Sequence, residues 1–248
     1  GDVFPREQDL LKKNKGKMGL DPDTIMHEKW SSGFKNLEEG RFEAENSEDY
    51  SLGLENKKLC LSLKRKNLFA WSPCRAFRYN EFMVDAEIEF GEQNAYSSAG
   101  LLFRYINDQN FFYFLISNKK YFRCDLVFNG MPFPLIEWTE SPLIREDSNT
   151  LKIIARLDDF SFYINGSWAG EVENENLPAG KIGFAAQNFD EKDGAVFYLN
   201  KIEVDSRQYE VEKNFVKWAR YIAADPEYRI NLARSFFKAG NFKLAVVQ

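Results

Sequence analysis

Residues 97–128 read SSAGLLFRYINDQNFFYFLISNKKYFRCDLVF, and their pattern decides the fold. Leu101, Phe103 and Tyr105 alternate with Gly100, Leu102 and Arg104, the period of two that marks a strand. The polar run Ile106-Asn107-Asp108-Gln109-Asn110 interrupts it as a turn. Residues 111–117 follow, rich in aromatic and branched side chains on both faces, and a third strand begins at Tyr121. A strand apolar on both faces needs cover on both. One cover is a second sheet. What meets the other face is the functional question.

The same signals extend outward. Residues 81–90 alternate most cleanly: Phe82, Val84, Ala86, Ile88 and Phe90 point one way, and Met83, Asp85, Glu87 and Glu89 the other. Three hairpins are expected, at Asn129-Gly130, Asp158-Asp159 and Asn165-Gly166; Asn-Gly supplies the positive φ of a type I′ turn. Further strands are expected at 41–46, 50–54, 58–63, 181–186 and 195–204. Many short strands, tight turns and no intervening helix give a mainly β, antiparallel two-sheet sandwich rather than a βαβ fold. After Asp205-Ser206-Arg207 the period changes: Val211, Phe215, Trp218 and Ile222 share one helix face, and Asp225-Pro226 stops that helix. The expected division is an N-terminal arm at 1–25 anchored by Trp30 and Phe34, a sandwich at 26–206 and a short α-helical segment at 207–248.

Composition removes several function classes. The formal charge of −5 over 248 residues argues against a general nucleic-acid binder. Three cysteines, Cys60, Cys74 and Cys124, with no CxxC pair, argue against a disulfide framework and a zinc site, leaving open one Cys60–Cys74 bridge. His27 is the single histidine, which removes mechanisms needing two and disfavours a Ser-His-Asp triad. No apolar run reaches membrane-spanning length, and there is no glycine-rich phosphate loop. A soluble protein of the cytoplasm or periplasm is expected. Aromatic content of 16 %, with 23 Phe, suits a β core and a sugar-binding surface alike.

Several segments in fixed order carry a resemblance. They are residues 82–90, Ala99-Gly100-Leu101-Leu102-Phe103-Arg104, residues 110–117, Asn149-Thr150-Leu151-Lys152-Ile153, Phe162-Tyr163-Ile164-Asn165-Gly166 and Ala179-Gly180-Lys181-Ile182-Gly183-Phe184. As a set they resemble the concanavalin A-like, laminin G-like jelly roll of lectins, glucanases and bacterial multidomain proteins, which implies two curved antiparallel sheets. Residues 226–248, with Asn231-Leu232-Ala233, Phe236-Phe237, Gly240-Asn241-Phe242 and Ala245, look like the start of a tetratricopeptide repeat. Such arrays need several repeats, so more chain is expected beyond residue 248, and Gly1 in place of Met points to a piece of a longer protein.

Four sets of candidates follow. Arg104, Tyr113, Arg123 and Trp138 are read as lining a groove, because sugars stack on aromatic rings while forked donors fix their hydroxyls. Asp85, Glu87 and Glu89 place three carboxylates on one strand face. That resembles the catalytic strand of jelly-roll glucanases, although the order Asp-x-Glu-x-Glu departs from that family's pattern and a solvated sheet face gives the same alternation. The loop containing Asp190 and Asp193 is acidic enough for calcium, the one cofactor considered, yet Lys192 in its middle counts against a site. Trp71 and Trp168 sit near turns as exposed platforms; Trp30, Trp138 and Trp218 also read as packing anchors. The expected function is non-enzymatic recognition: a glycan or protein ligand on the jelly roll and a protein partner on the helices. The rivals are a glycoside hydrolase and a structural cap for a helical array.

Overall fold

The computed structural model describes residues 24–75 and 77–219, together with 230, 231, 233, 234, 237 and 238. The N-terminal arm up to residue 23, and nearly all of the tetratricopeptide-like stretch 226–248, fall outside the described residues. In chain order the first elements are β1 (Lys29–Ser32), α1 (Leu37–Gly40), β2 (Glu45–Asn46), β3 (Tyr50–Glu55), β4 (Lys58–Leu63), β5 (Phe69–Pro73), β6 (Phe82–Phe90) and β7 (Ser97–Asn107). Then come β8 (Asn110–Ser117), β9 (Tyr121–Phe128), β10 (Met131–Glu140), β11 (Ser148–Arg156), β12 (Asp159–Ile164), β13 (Ser167–Glu173), β14 (Lys181–Asn188), β15 (Ala195–Asp205) and α2 (Gln208–Ala219).

The strands form two antiparallel sheets. The larger has nine strands in the order β13-β12-β11-β6-β15-β4-β3-β2, with β1 also paired to β15. The smaller has six, in the order β10-β9-β8-β7-β14-β5. The period of two sends one side chain set from each sheet into a shared core. Phe82, Val84, Ala86 and Ile88 of β6 meet Leu101 and Phe103 of β7 and Phe112, Phe114 and Ile116 of β8, all buried. Phe114 stacks on Phe162 of β12 at 4.6 Å between centroids, and Phe103 meets Phe160 edge-on at 5.2 Å. Each such ring removes enough apolar surface to contribute about 2 kcal/mol.

Asn129-Gly130 and Asn165-Gly166 adopt the expected left-handed turns, with φ of 51° and 76° and of 52° and 81°. The third hairpin differs. Arg156 pairs with Asp159, so the turn is Leu157-Asp158 rather than Asp158-Asp159, and Leu157 takes the positive φ of 52°. All three cysteines are free, so no Cys60–Cys74 bridge forms.

Alternation fails at one position that matters for the site. Arg104 has φ of 47°, and the register of β7 shifts there against both β8 and β14. This β-bulge turns Arg104 inward and Tyr105 outward, the reverse of the sequence expectation. Arg104 is only 1 % exposed and donates to the carbonyls of Leu177 (2.9 Å), Asn80 (2.7 Å) and Leu157. Its guanidinium also lies 4.6 Å from the centre of the Phe160 ring. Gly180 makes room for the bulge: a Cβ there would come within 2.2 Å of the Arg104 backbone.

At the other end of the chain α2 lies against β11 and β6. Val211 and Phe215 are buried, and Arg156 bonds to Glu212 at 2.6 Å. The Trp218 side chain lies outside the described residues. Trp30 and Phe34 are buried near the start of the chain, where Trp30 Nε1 donates to Tyr79 Oη at 3.0 Å and Tyr79 donates to Glu28 at 2.7 Å. No helix among the described residues is long and apolar enough to cross a membrane.

Candidate functional site

The outward face of the smaller sheet is aromatic. Leu102, Phe111, Tyr113, Leu115, Val127 and Ala185 form a second apolar cluster, separate from the core, with Phe69, Trp71, Tyr105 and Trp138 packed over it. The rings touch in a chain: Phe69 to Tyr113 at 5.0 Å, Phe69 to Trp71 at 5.2 Å, Trp71 to Phe111 at 5.1 Å and Phe111 to Tyr105 at 5.9 Å. Gly100 on β7 and Gly183 and Ala185 on the adjacent β14 keep the floor between the rings low.

One side of this face carries a charged triad. Tyr113 donates to Asp125 at 2.5 Å, and Arg123 grips the same carboxylate through Nε at 2.9 Å and through Nη2. Asp125 is fully buried beneath them. Burial, then the bond to Asp125 and its charge, raise the Tyr113 pKa, so the phenol stays a donor at every physiological pH. Burial opposes the Arg123 charge, but the Asp125 bonds outweigh it and the net shift is upward. The guanidinium plane stands 5.2 Å from the Trp138 ring.

The two ends of the face differ. Trp138 lies on β10 at one margin, and Phe189 follows β14, four strands away. Backbones of strands that far apart lie about 19 Å from each other at about 4.8 Å per strand, and the two side chains reach inward from there. Their rings instead meet at 6.5 Å, and Phe189 stacks on Tyr96 at 4.4 Å. The rings of Trp138, Phe189 and Tyr96 therefore bridge over the face at this end, and the face is a trough. At the opposite end it is open. There the exposed Asp108 accepts from Trp71 Nε1 at 3.0 Å and from Tyr105 Oη at 2.8 Å, both on Oδ1.

The sequence candidates divide between these places. Tyr113, Arg123 and Trp138 come together on the trough, as does Trp71. Arg104 does not: the bulge commits its guanidinium to the backbone carbonyls of Leu177, Asn80 and Leu157 on the core side. Burial lowers its pKa to about 10, which leaves it charged at neutral pH. Trp168 is half-buried on the edge strand β13 of the larger sheet. Asp125 was legible but missed, since it lies two residues from Arg123 on one strand and so shares its face. Tyr105, Phe189 and Tyr96 had no local signal, because a bulge and two loops bring them in.

Asp85, Glu87 and Glu89 stand on the outward face of the larger sheet, on the far side of the sandwich from the trough. Each is held by side chains of β11, β15 or β4. Lys152 bonds Asp85 at 2.7 Å, Ser148 and Asn200 bond Glu87 at 3.0 and 3.2 Å, and Lys58 and Asn200 bond Glu89 at 2.6 and 3.0 Å. Burial would raise the Glu89 pKa, but Lys58 and Asn200 outweigh it and the net shift is downward, opposite to what a general acid needs. In the acidic loop, Asp190 accepts from the Asn67 side chain and Asp193 from the Lys66 backbone at 3.2 Å. Among the described residues no group of three or more His, Cys, Asp or Glu side chains is placed to hold a metal ion.

Known structures share this sandwich. A β-glucanase from Bacillus licheniformis superposes with a TM-score of 0.54 at 10 % identity, over 72 % of this chain and 98 % of its own. A β-1,3-1,4-glucanase from a mouse hindgut metagenome gives 0.52 at 10 % identity, over 72 % and 99 %. The fold is a concanavalin-like jelly roll. At these identities the likeness carries the architecture and none of the chemistry. A Bacillus subtilis protein described as having a galectin-like fold gives 0.50 at 13 % identity, over 73 % and 98 %. No family model matches the jelly-roll chain. A curated protein of Treponema pallidum named as a TPR repeat-containing protein is 26 % identical over 271 aligned residues, 89 % of this chain. The chain spans about a third of that relative's length.

Proposed function

We propose that the chain is a non-enzymatic glycan-recognition module whose ligand lies in the aromatic trough of the smaller sheet. The observation that carries this reading is the outward aromatic cluster from Phe69 to Trp138, edged by Asp108 and by the Arg123–Asp125 pair. A sheet face that meets only solvent has no reason to present such rings. Sugars present apolar C–H faces for stacking and hydroxyls for fixed polar groups. Tyr113, Arg123 and Trp138 serve as binding residues, joined by Trp71, Tyr105 and Asp108.

Binding of the full chain to a glycan array tests the reading. Wild-type protein binds at least one glycan class, and Trp71→Ala and Tyr113→Ala each weaken that binding about tenfold or more. A blank array, or binding indifferent to both substitutions, overturns it. Glycoside hydrolysis is the rival, and the glucanase fold neighbours keep it in view. Catalytic release of reducing sugar from a bound glucan would replace recognition with that reaction. A protein partner for the helical segment is a second reading, supported by the tetratricopeptide name of the Treponema relative; pull-down with and without residues 207–248 separates it from glycan binding.

A further inference from the structure

The closed end of the trough holds polar groups that the fold leaves unused. Ser98 stands on the same side of β7 as Gly100 and Leu102, is fully buried, and its hydroxyl has no hydrogen-bond partner among the described residues. Gln187 lies directly across from it on β14, half-buried, and its carboxamide has no hydrogen bond to the described residues. A buried hydroxyl without a partner is uncommon and asks for one. Beside them Trp138, Phe189 and Tyr96 shut the trough, whereas Trp71, Tyr105 and Asp108 leave the other end open.

We infer that the trough takes the end of a glycan chain rather than an internal stretch. This rests on the glycan-recognition reading above. A chain passing through would collide with the Trp138–Phe189 contact. A terminal sugar stops there. It also carries a free hydroxyl at the position that an internal unit spends on its glycosidic bond. That hydroxyl pairs with Ser98 Oγ and the Gln187 carboxamide, and the rest of the chain leaves over Trp71 and Tyr105 toward Asp108.

The test uses the full chain and the linear glycan bound most tightly on the array, as its hexasaccharide and as a polymer with counted ends. Calorimetry gives one protein per chain for both if the end is bound. Methylating the terminal hydroxyls weakens the hexasaccharide about tenfold, and Ser98→Ala or Gln187→Ala does the same. Ser98→Ala removes a hydroxyl with no hydrogen-bond partner among the described residues, so its melting temperature holds or rises and lost binding is not lost folding. A stoichiometry that grows with polymer length, or full affinity for the methylated ligand, overturns the inference while leaving glycan recognition standing. A blank array removes both, and is told apart by that result alone.

Discussion

The two outward faces of the sandwich obey the same period of two and are built for opposite surroundings. On the larger sheet the outward set of β6 is Asp85, Glu87 and Glu89, each answered by Lys152 or Ser148 of β11, Asn200 of β15 or Lys58 of β4. On the smaller sheet the outward set is Tyr113, Phe111, Leu115 and Leu102, overlaid by Phe69, Trp71, Tyr105 and Trp138. Cross-strand charge pairs satisfy a face that meets water and ask nothing of a ligand. The ring surface of the smaller sheet has no such cross-strand charge pairing over most of its area, and the Ser98 hydroxyl beside it has no hydrogen-bond partner among the described residues. Carboxylates in alternation thus mark the solvated face of this molecule, and aromatics in alternation mark the face proposed to bind.

The largest effect expected from breaking this contrast comes at the bulge. Arg104→Ala leaves three carbonyls short of a donor and empties a fully buried site, so denaturant unfolding should show a loss of about 3–5 kcal/mol. With the bulge relaxed, Tyr105 leaves the trough, and glycan binding weakens in whatever protein remains folded. A stability loss under about 1 kcal/mol would mean that the bulge holds itself without Arg104.

Tyr113→Phe comes next. It removes the phenol that donates to the buried Asp125, and melting curves should report a loss of about 1–2 kcal/mol. Arg123 keeps the carboxylate from being stranded, which limits the cost.

The larger sheet gives a pH signature. Asp159 on β12 is partly buried and faces Glu173 and Glu171, and these together raise its pKa to about 6, against about 3.9 in an unfolded chain. The folded state therefore holds its proton more tightly. Its contribution is complete below pH ~4 and is lost as pH rises toward ~6. Stability measured across that window should fall from this residue, and Asp159→Asn should flatten the slope; an unchanged slope would assign the titration elsewhere.

The smallest effects belong to the charge ladder. Asp85→Asn, Glu87→Gln and Glu89→Gln should each shift stability by no more than about 1 kcal/mol and leave glycan binding as it was. Loss of binding or of sugar-releasing activity in any of them would reverse the assignment of the two faces.

Much of this was readable in the chain. The alternation in 81–90 and 97–128 placed the strands and the core, because a pleated backbone sends side chains to opposite faces whatever lies beyond it. Asn129-Gly130 and Asn165-Gly166 placed two hairpins, because the conformation they favour is local. Leu157 was not foreseen in a positive-φ turn; the pairing of Arg156 with Asp159 sets that register from outside the turn. Tyr113, Arg123 and Trp138 lie together on one outward face, whereas Arg104, expected beside them, turns into the core.

The division follows from range. Residue order alone determined the two-sheet sandwich, its inward residues and the aromatic character of one outward face, since each follows from the period of the backbone and the chemistry of neighbouring residues. Only the tertiary structure decided that Arg104 turns in and Tyr105 out, because carbonyls of Asn80, Leu157 and Leu177 and the bare backbone of Gly180 hold that bulge from distant parts of the chain. It alone also closed the trough. Trp138 and Phe189 are far apart in sequence and four strands apart in the sheet, and their rings meet because a strand on one side and a loop on the other carry them over the strands between.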